Sequence, residues 1–230
     1  MARVGLLGGT FNPPHLGHLA CAQEALVQLG LDRVLLVPAG TPPHKAVEVE
    51  PGVAHRVAMC EASVAGDARL GVSLVDAQRS GPAYTVELLR ALRAEAPDDA
   101  LTFIVGGDMA HSLPTWREPE AVLALAELAV AEREGVRRAD VTERLAGLAG
   151  ASERVRFFDM PRLDISSSLL RRRVAAGLPL RYLVPDAVAA YVEREGLYRA
   201  ATPATRGGGP APQAGGEAPP GGRLSLGDTA

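Results

Sequence analysis

The sequence predicts an α/β protein with a Rossmann-like, doubly wound parallel sheet that carries helices on both faces. Short apolar runs alternate along the chain with longer segments of helical periodicity. Several of these runs are apolar at consecutive positions rather than at every second residue, which is typical of parallel strands buried on both faces. Turn-rich segments follow several of these runs, at the edge where open parallel sheets bind ligands.

Largely apolar runs, three of which contain one polar residue, predict the strands in chain order. They cover Val4–Leu7, Val34–Val37, Leu70–Val75, Leu101–Val105, Leu128–Ala131 and Val155–Phe158. The segments between them predict the helices, of which the first has apolar residues three and four positions apart. These helices cover Leu19–Leu29, Val53–Val64, Thr85–Ala94, Pro119–Leu125 and Val141–Leu148. Thr85 is a plausible N-cap, with Glu87 in the first turn that follows it.

Composition indicates one domain followed by a tail. The chain has 230 residues, of which 47% are hydrophobic, so it can bury a full core. We expect a folded domain over residues 1–199. The last thirty residues contain eight glycines and five prolines but few large apolar side chains. We therefore expect a disordered Gly/Pro-rich tail over residues 200–230.

Charge and cysteine usage exclude some classes of protein. The net charge of −3 argues against nucleic acid as a partner, because no basic excess is available to neutralise phosphates. Cys21 and Cys60 lie in predicted helices, which indicates reduced, buried thiols. The apolar run before Gly8 is too short for a signal peptide, and no stretch reaches the ~20 apolar residues of a membrane span. The sequence predicts a cytoplasmic protein and leaves the oligomeric state open.

The stretch GGTFNPPHLGH at residues 8–18 follows the first predicted strand and precedes the first predicted helix. Its glycine pair lets backbone N–H groups approach a phosphate, and the helix N-terminus adds unpaired donors and a positive dipole end. His15 and His18 offer two imidazoles to the same place. The pattern predicts a phosphate site built on Gly8, Gly9, Thr10, Phe11 and the two histidines.

Other phosphate loops and a metal site are weaker interpretations of this stretch. It lacks the Gly-Lys-Ser/Thr ending of a P-loop and the G-x-G-x-x-G of dinucleotide folds. His15, His18 and Cys21 are evenly spaced by three, as zinc ligands could be. However, Pro13 and Pro14 keep the chain non-helical up to about His15, and three ligands fall short of the usual four.

The stretch resembles the H-x-G-H motif of the nucleotidylyltransferase superfamily, and most closely the nicotinate-mononucleotide adenylyltransferase family. That family usually has Asp where this chain has Asn12, so we assign Asn12 no catalytic role. It commonly has Arg-Pro-Gly where residues 132–135 read Glu-Arg-Glu-Gly, so Glu134 leaves that loop's contribution open. The likeness extends over nearly all of residues 1–199.

The resemblance implies roles for several further segments. Thr41-Pro42-Pro43-His44-Lys45 is similar to a family loop near the bound nucleotides, which implicates His44 and Lys45. The segment GPAYT at residues 81–85 matches one that holds the pyridine carboxylate with backbone N–H groups, at a helix start that includes Tyr84 and Thr85.

Two more segments complete the implied site. The acid of Gly106-Gly107-Asp108 would bind nucleotide ribose, whereas Trp116 would stack on the nicotinate ring, with Arg117 beside it. ISSSLLR at residues 165–171 resembles the superfamily's I-S-S-T-x-I-R motif, in which Ser166, Ser167 and Arg171 would cradle an anion. Arg172 and Arg173 project in other directions and are interpreted as solvated.

The resemblance implies adenylyl transfer from ATP to nicotinate mononucleotide, with Mg²⁺ accompanying ATP. Small molecules, not nucleic acid or membrane, would be its partners. Nicotinamide mononucleotide or phosphopantetheine would be the alternative acceptor. A non-catalytic nucleotide sensor is a further alternative, although both motif histidines are present.

Overall fold

One parallel sheet forms the centre of the computed structural model, which describes residues 1–41, 49–79, 81–132 and 137–199. Within these ranges the sheet has six strands in the order β3-β2-β1-β4-β5-β6. Their bounds are β1 Arg3–Gly9, β2 Arg33–Pro38, β3 Leu70–Val72, β4 Ala100–Gly106, β5 Glu127–Glu132 and β6 Val155–Asp159. The predicted doubly wound parallel sheet is confirmed.

Helices connect the strands and cover the sheet. They are α1 Leu16–Gln28, α2 Val53–Val64, α3 Thr85–Glu95, α4 Gly107–Ser112, α5 Pro119–Leu125, α6 Arg138–Leu145, α7 Ala151–Arg154, α8 Ser167–Ala175 and α9 Asp186–Arg194. A short 3₁₀ helix, Leu113–Thr115, links α4 to α5. None of the helices in the described ranges combines the length and apolar character that crossing a bilayer requires.

The central strands bury apolar side chains on both faces, as their largely apolar sequences predict. In β4, Phe103 and Val105 belong to the cluster under α3, α4 and α5, whereas Ile104 belongs to the cluster under α1 and α2. Successive residues of a strand point to opposite faces, so one run of large apolar residues serves both clusters. The sheet is therefore covered on both sides.

A third cluster attaches the last described residues to this frame. Val188 and Val192 of α9 pack with Met59 of α2, Leu170 of α8 and Tyr198. The backbone N–H of Leu16, the first residue of α1, donates to the carbonyl of Leu183 at 3.1 Å. The chain's C-terminal helices are thus packed beside the beginning of α1.

Several predicted boundaries are wrong by a few residues, and the predicted N-cap of α3 is wrong by one. α1 begins at Leu16, three residues before its predicted start. β3 ends at Val72, not Val75, because the chain turns after Ser73 donates a last ladder bond to Leu36. α6 begins at Arg138, three residues before the predicted start, with Asp140 placed favourably in its first turn. The N-cap of α3 is Tyr84, so Thr85 is the first helical residue.

Candidate active site

A cavity of about 600 Å³ opens at the carboxyl ends of the central strands. Such a volume suits a nucleotide-sized ligand. The predicted site residues that line it are Gly8, Gly9, Thr10, His15, His18, Tyr84, Thr85, Gly106, Trp116, Ser166, Ser167 and Arg171. Segments more than 150 positions apart in the chain therefore meet around one space.

Three predicted residues lie elsewhere. Phe11 is buried below the turn, and a Cβ at Gly9 would lie 3.0 Å from its ring. Asp108 is exposed in the first turn of α4, away from the cavity lining. Arg117 stacks over the ring of Tyr84, 4.8 Å from its centroid, instead of lining the cavity.

The remaining predicted positions fall in parts of the chain without a description. His44, Lys45 and the departure at Glu134 lie outside the described residues, as does the expected tail from residue 200. Their predicted roles stay predictions.

The motif turn, formed by residues 8–15, ends in extended backbone at His15, which is the N-cap of α1. The helix therefore begins where the two prolines allow it. Gly17 is needed at the third motif position because a Cβ there would lie 3.0 Å from Nδ1 of His15. Its absence lets the His15 ring lie against the first turn of the helix.

The two motif imidazoles stack on each other, with ring centroids 3.7 Å apart. The backbone N–H of His15 donates to Nδ1 of His18 at 3.1 Å. A neutral imidazole has one donor and one acceptor nitrogen, so this bond leaves the proton of His18 on Nε2. The edge contact with Phe11, at 4.9 Å between centroids, further restrains the His18 ring. His18 can therefore present an N–H donor from the cavity lining.

The start of α8 lies against the motif turn. Ser166 caps the helix by accepting the N–H of Leu169 at 3.2 Å. Ser167 Oγ donates to the carbonyl of Pro13 at 2.8 Å, and Nη1 of Arg171 donates to the carbonyl of Asn12 at 2.8 Å. The cap predicted from the serines is confirmed, and the cavity gains a helix N-terminus with a guanidinium beside the motif turn.

The other side of the cavity is formed by the start of α3 and by Trp116. The indole N–H donates to Ser112 Oγ at 2.9 Å, and the ring meets Phe103 edge-on at 6.1 Å. Trp116 is partly buried against the core and also lines the cavity, so packing and a binding face occur together in one side chain. Glu87 pairs with Arg79 and Arg117 just behind the N-terminus of α3.

Asp76 is a cavity residue that sequence reasoning missed. Its carboxylate is 5% exposed and accepts the N–H of Gly40 at 3.3 Å. Burial raises the pKa of Asp76, opposed by that hydrogen bond and by the positive charges of Arg79 and Arg56. A single acid after a short strand carries little signal in sequence. Its loop approaches Gly40 so closely that a Cβ on that glycine would meet the carbonyl of Asp76 at 2.5 Å.

The lining offers few groups for a metal cage. In the described part of the chain, no three His, Cys, Asp or Glu side chains lie together as metal ligands would. Among the described lining residues Asp76 is the sole carboxylate. The other polar lining groups include imidazoles, hydroxyls of serine, threonine and tyrosine, and a guanidinium, a set suited to phosphate oxygens.

Sequence comparison agrees with this geometry. Residues 6–173 match the cytidylyltransferase-like family. The chain is 43% identical over 214 residues to a probable nicotinate-nucleotide adenylyltransferase of Thermomicrobium roseum, covering 90% of this chain and 100% of that one. A probable nicotinate-nucleotide adenylyltransferase of Symbiobacterium thermophilum is 44% identical over 199 residues, covering 86% and 96%. The chain belongs to the nicotinate-nucleotide adenylyltransferase family.

Solved structures with the same fold extend the likeness. Plasmodium falciparum nicotinic acid mononucleotide adenylyltransferase complexed with NaAD superposes with a TM-score of 0.70 at 16% identity, covering 86% of this chain and 98% of that chain. The same protein complexed with APC gives a TM-score of 0.68. At this identity the likeness concerns the fold alone. Nucleotidyltransferases of this family generally use a divalent metal with ATP.

Proposed function

We propose that this chain transfers the adenylyl group of ATP to nicotinate mononucleotide, which yields nicotinate adenine dinucleotide and pyrophosphate for NAD synthesis. Membership of the family supports this reaction. One structural observation carries the proposal. The motif turn with its two imidazoles and the start of α3 with Trp116 line the same cavity. Each substrate therefore has a matching set of groups within reach of the other.

The reaction needs no general base, because its nucleophile is a phosphate monoester that is already ionised at neutral pH, with a second pKa near 6. Catalysis then consists of positioning the two substrates and stabilising charge on the attacked α-phosphate. His15 and His18 would bind the ATP phosphates. The Nε2 proton of His18, which the bond at Nδ1 leaves in place, would donate to an α-phosphate oxygen as charge builds.

Arg171 and the N-terminus of α8 would hold the departing pyrophosphate. Both lie beside the motif turn, and the guanidinium can exchange its bonds to the Asn12 carbonyl and Ser168 for phosphate oxygens. Mg²⁺ would be bound mainly by the triphosphate and water, which fits a lining rich in donors and poor in carboxylates. When bound, it neutralises phosphate charge. The remaining contributions come from the chain's own donors.

The choice of acceptor follows from the start of α3. Unpaired backbone N–H groups and the helix dipole favour the carboxylate of nicotinate over the amide of nicotinamide. The NH₂ group of the amide would face these backbone N–H groups, so that donors meet donors. Each buried group left unpaired costs roughly 1–3 kcal/mol. Trp116 can stack on either ring and so adds affinity without much discrimination. We therefore place acid recognition at Tyr84 and Thr85.

A cytoplasmic location for this activity is supported by the burial of both cysteines in helices, which suits a reducing compartment. Phosphopantetheine is disfavoured as acceptor because it has no pyridine ring to use the Trp116 face. A nucleotide sensor is disfavoured because both imidazoles lie in the cavity lining.

Turnover with competing acceptors tests the proposal. The purified chain is incubated with ATP, Mg²⁺ and one acceptor at a time, and dinucleotide mass and pyrophosphate release are measured. We expect kcat/KM to be at least about 10²-fold higher for nicotinate mononucleotide than for nicotinamide mononucleotide. Two buried donors left unpaired by the amide would be enough to produce this difference. Equal use of both would refute the acceptor assignment, and no dinucleotide from any acceptor would refute adenylyl transfer itself.

A further inference from the structure

A chain of hydrogen-bonded polar side chains, buried at Tyr198, Asn12 and Arg56 and partly exposed at Glu50, lies against the motif turn. The Tyr198 hydroxyl donates to Oδ1 of Asn12 at 2.6 Å. Nδ2 of Asn12 donates to the carbonyl of Val49 at 3.0 Å and to Oε2 of Glu50 at 3.4 Å. Oε1 of Glu50 accepts from Nε of Arg56 at 2.7 Å. Asn12 and Arg56 are each 1% exposed, whereas the Glu50 side chain that joins them is 34% exposed, so the chain is shielded from water at Asn12 and Arg56 and reaches the surface at Glu50.

The direction of each bond in this chain is set by chemistry. The Val49 carbonyl and the Glu50 carboxylate can only accept, so the amide nitrogen of Asn12 must face them. Its oxygen is then left to receive the Tyr198 hydroxyl. Burial raises the pKa of Tyr198, which keeps that hydroxyl protonated and therefore a donor. Aspartate at position 12 would instead turn an acceptor toward Val49 and Glu50.

Arg56 extends the connection to both substrate-facing loops. Its Nη1 donates to the carbonyl of Thr10 in the motif turn at 3.0 Å, and its Nη2 donates to the carbonyl of Gly40 after β2 at 2.9 Å. The planar guanidinium holds three acceptors in a fixed relation, which a lysine could not reproduce. Through Glu50 the same group is joined to Asn12 and, beyond it, to Tyr198.

We propose that the Tyr198–Asn12–Glu50–Arg56 chain positions the motif turn for adenylyl transfer, with Tyr198, Glu50 and Arg56 as positioning residues. This inference rests on the proposed function. His15 and His18 follow the turn directly, so a shift of the turn moves both imidazoles. Misplacement of a reacting group by about 1 Å can cost about 10²-fold in rate. The end of the catalytic domain would thereby set the geometry of its beginning.

Two tyrosine-to-phenylalanine variants offer a matched test. Tyr198→Phe removes the hydroxyl that reaches Asn12 and keeps the ring in its apolar cluster. Tyr191→Phe removes a hydroxyl that bonds His55 Nδ1 at 2.9 Å, also between the C-terminal segment and α2 but away from the turn. We expect Tyr198→Phe to lower kcat about tenfold with less than about threefold change in the KM for ATP, and Tyr191→Phe to leave kcat within about twofold. An equal fall in both variants, or in neither, would overturn the inference.

A charge-conserving exchange tests the Asn12–Glu50 link. In Asn12→Asp, a carboxylate oxygen at position 12 faces the Glu50 carboxylate, so two acceptors meet. In Glu50→Gln, the new amide nitrogen faces either Nδ2 of Asn12 or Nε of Arg56, so two donors meet. In the double variant the new amide at 50 can donate to the new carboxylate while its oxygen still accepts from Arg56. The Val49 carbonyl would still face a carboxylate oxygen at position 12, so the recovery of kcat is partial. We expect Asn12→Asp to lower kcat by about 10²-fold and the double variant to regain about tenfold of that loss. A double variant no faster than Asn12→Asp would overturn the link.

Hydrogen exchange separates this inference from the proposed function. It is measured without substrates on peptides that cover residues 9–18, in the full chain and both tyrosine variants. We expect faster exchange in Tyr198→Phe and unchanged exchange in Tyr191→Phe, because only the first releases the turn. If the wild type made no dinucleotide, the proposed function would fail while this result still supported the positioning of the turn. Unchanged exchange in Tyr198→Phe would overturn the positioning whatever the activity.

Discussion

The two sides of the cavity are held together differently. On the phosphate side, the bonds from Ser167 to Pro13, from Arg171 to Asn12 and from Tyr198 to Asn12 span 154, 159 and 186 positions of the sequence. On the acceptor side, Trp116 bonds a serine four positions away. The phosphate side is therefore complete only after the C-terminal helices have packed, whereas the acceptor side is shaped by its own neighbourhood.

Under the proposed function, this difference matches what each side would have to do. Charge that develops in a transition state is stabilised best by donors that do not move. Hydrogen bonds from residues distant in the sequence fix the motif turn in this way. A stacking face and a helix N-terminus bind a ring and a carboxylate without such bracing. We therefore expect substitutions on the phosphate side to change kcat, and substitutions on the acceptor side to change KM for the mononucleotide.

His18→Ala should have the largest effect. If the Nε2 proton stabilises charge only in the transition state, kcat should fall by about 10²–10³ while ATP binding changes little. Steady-state kinetics together with calorimetric ATP binding measures both quantities. The exposed His111 supplies a control as His111→Ala, which should leave both unchanged. Near-normal turnover of His18→Ala would remove this imidazole from the mechanism.

Trp116→Ala should act on the acceptor side alone. We expect KM for both mononucleotides to rise about tenfold, because stacking contributes about 1 kcal/mol or slightly more, and the preference for the acid to persist. Trp116→Phe keeps an aromatic face and serves as the control for lost packing against Phe103. A collapse of the acid-to-amide ratio in Trp116→Ala would assign discrimination to the indole rather than to α3.

Asp76→Asn should alter stability in a pH-dependent way. Because burial raises the folded pKa of Asp76, its ionised form costs stability at neutral pH, and this cost disappears below the unfolded value near 3.9. The asparagine can still accept from Gly40, so thermal unfolding at pH 7 should occur at a higher temperature than in the wild type. The gain should shrink as the pH falls toward 4. A gain that is constant with pH would contradict this origin.

Removal of residues 201–230 should have the smallest effect. That segment offers few apolar side chains to bury, so its deletion should leave the melting temperature and kcat almost unchanged. Differential scanning calorimetry and the turnover assay compare the two forms. A matched deletion from residue 197 also removes Tyr198 and should lose activity. A clear loss on removing 201–230 alone would show that the segment contributes to the folded unit.

The pattern of strands and helices could be predicted from sequence because the arrangement of apolar residues within each segment distinguishes a buried strand from a helix. β4 illustrates this. Every residue from Leu101 to Val105 is buried, and Thr102 is the one polar residue in this run. The boundary of β3 could not be predicted, because Val75 is apolar but its backbone turns toward the loop that brings Asp76 to Gly40. Local character leaves such a turn undetermined.

The sequence by itself indicated the pattern of strands and helices, the strand-to-helix turn before α1 and the serine cap of α8, because each depends on residues that lie close together in the chain. Only the tertiary structure decided that Asn12 would join Tyr198 to Glu50, and that Arg56 would join Thr10 to Gly40. Buried polar groups must find partners, and the partners are whichever groups packing brings near. No periodicity in sequence encodes that choice.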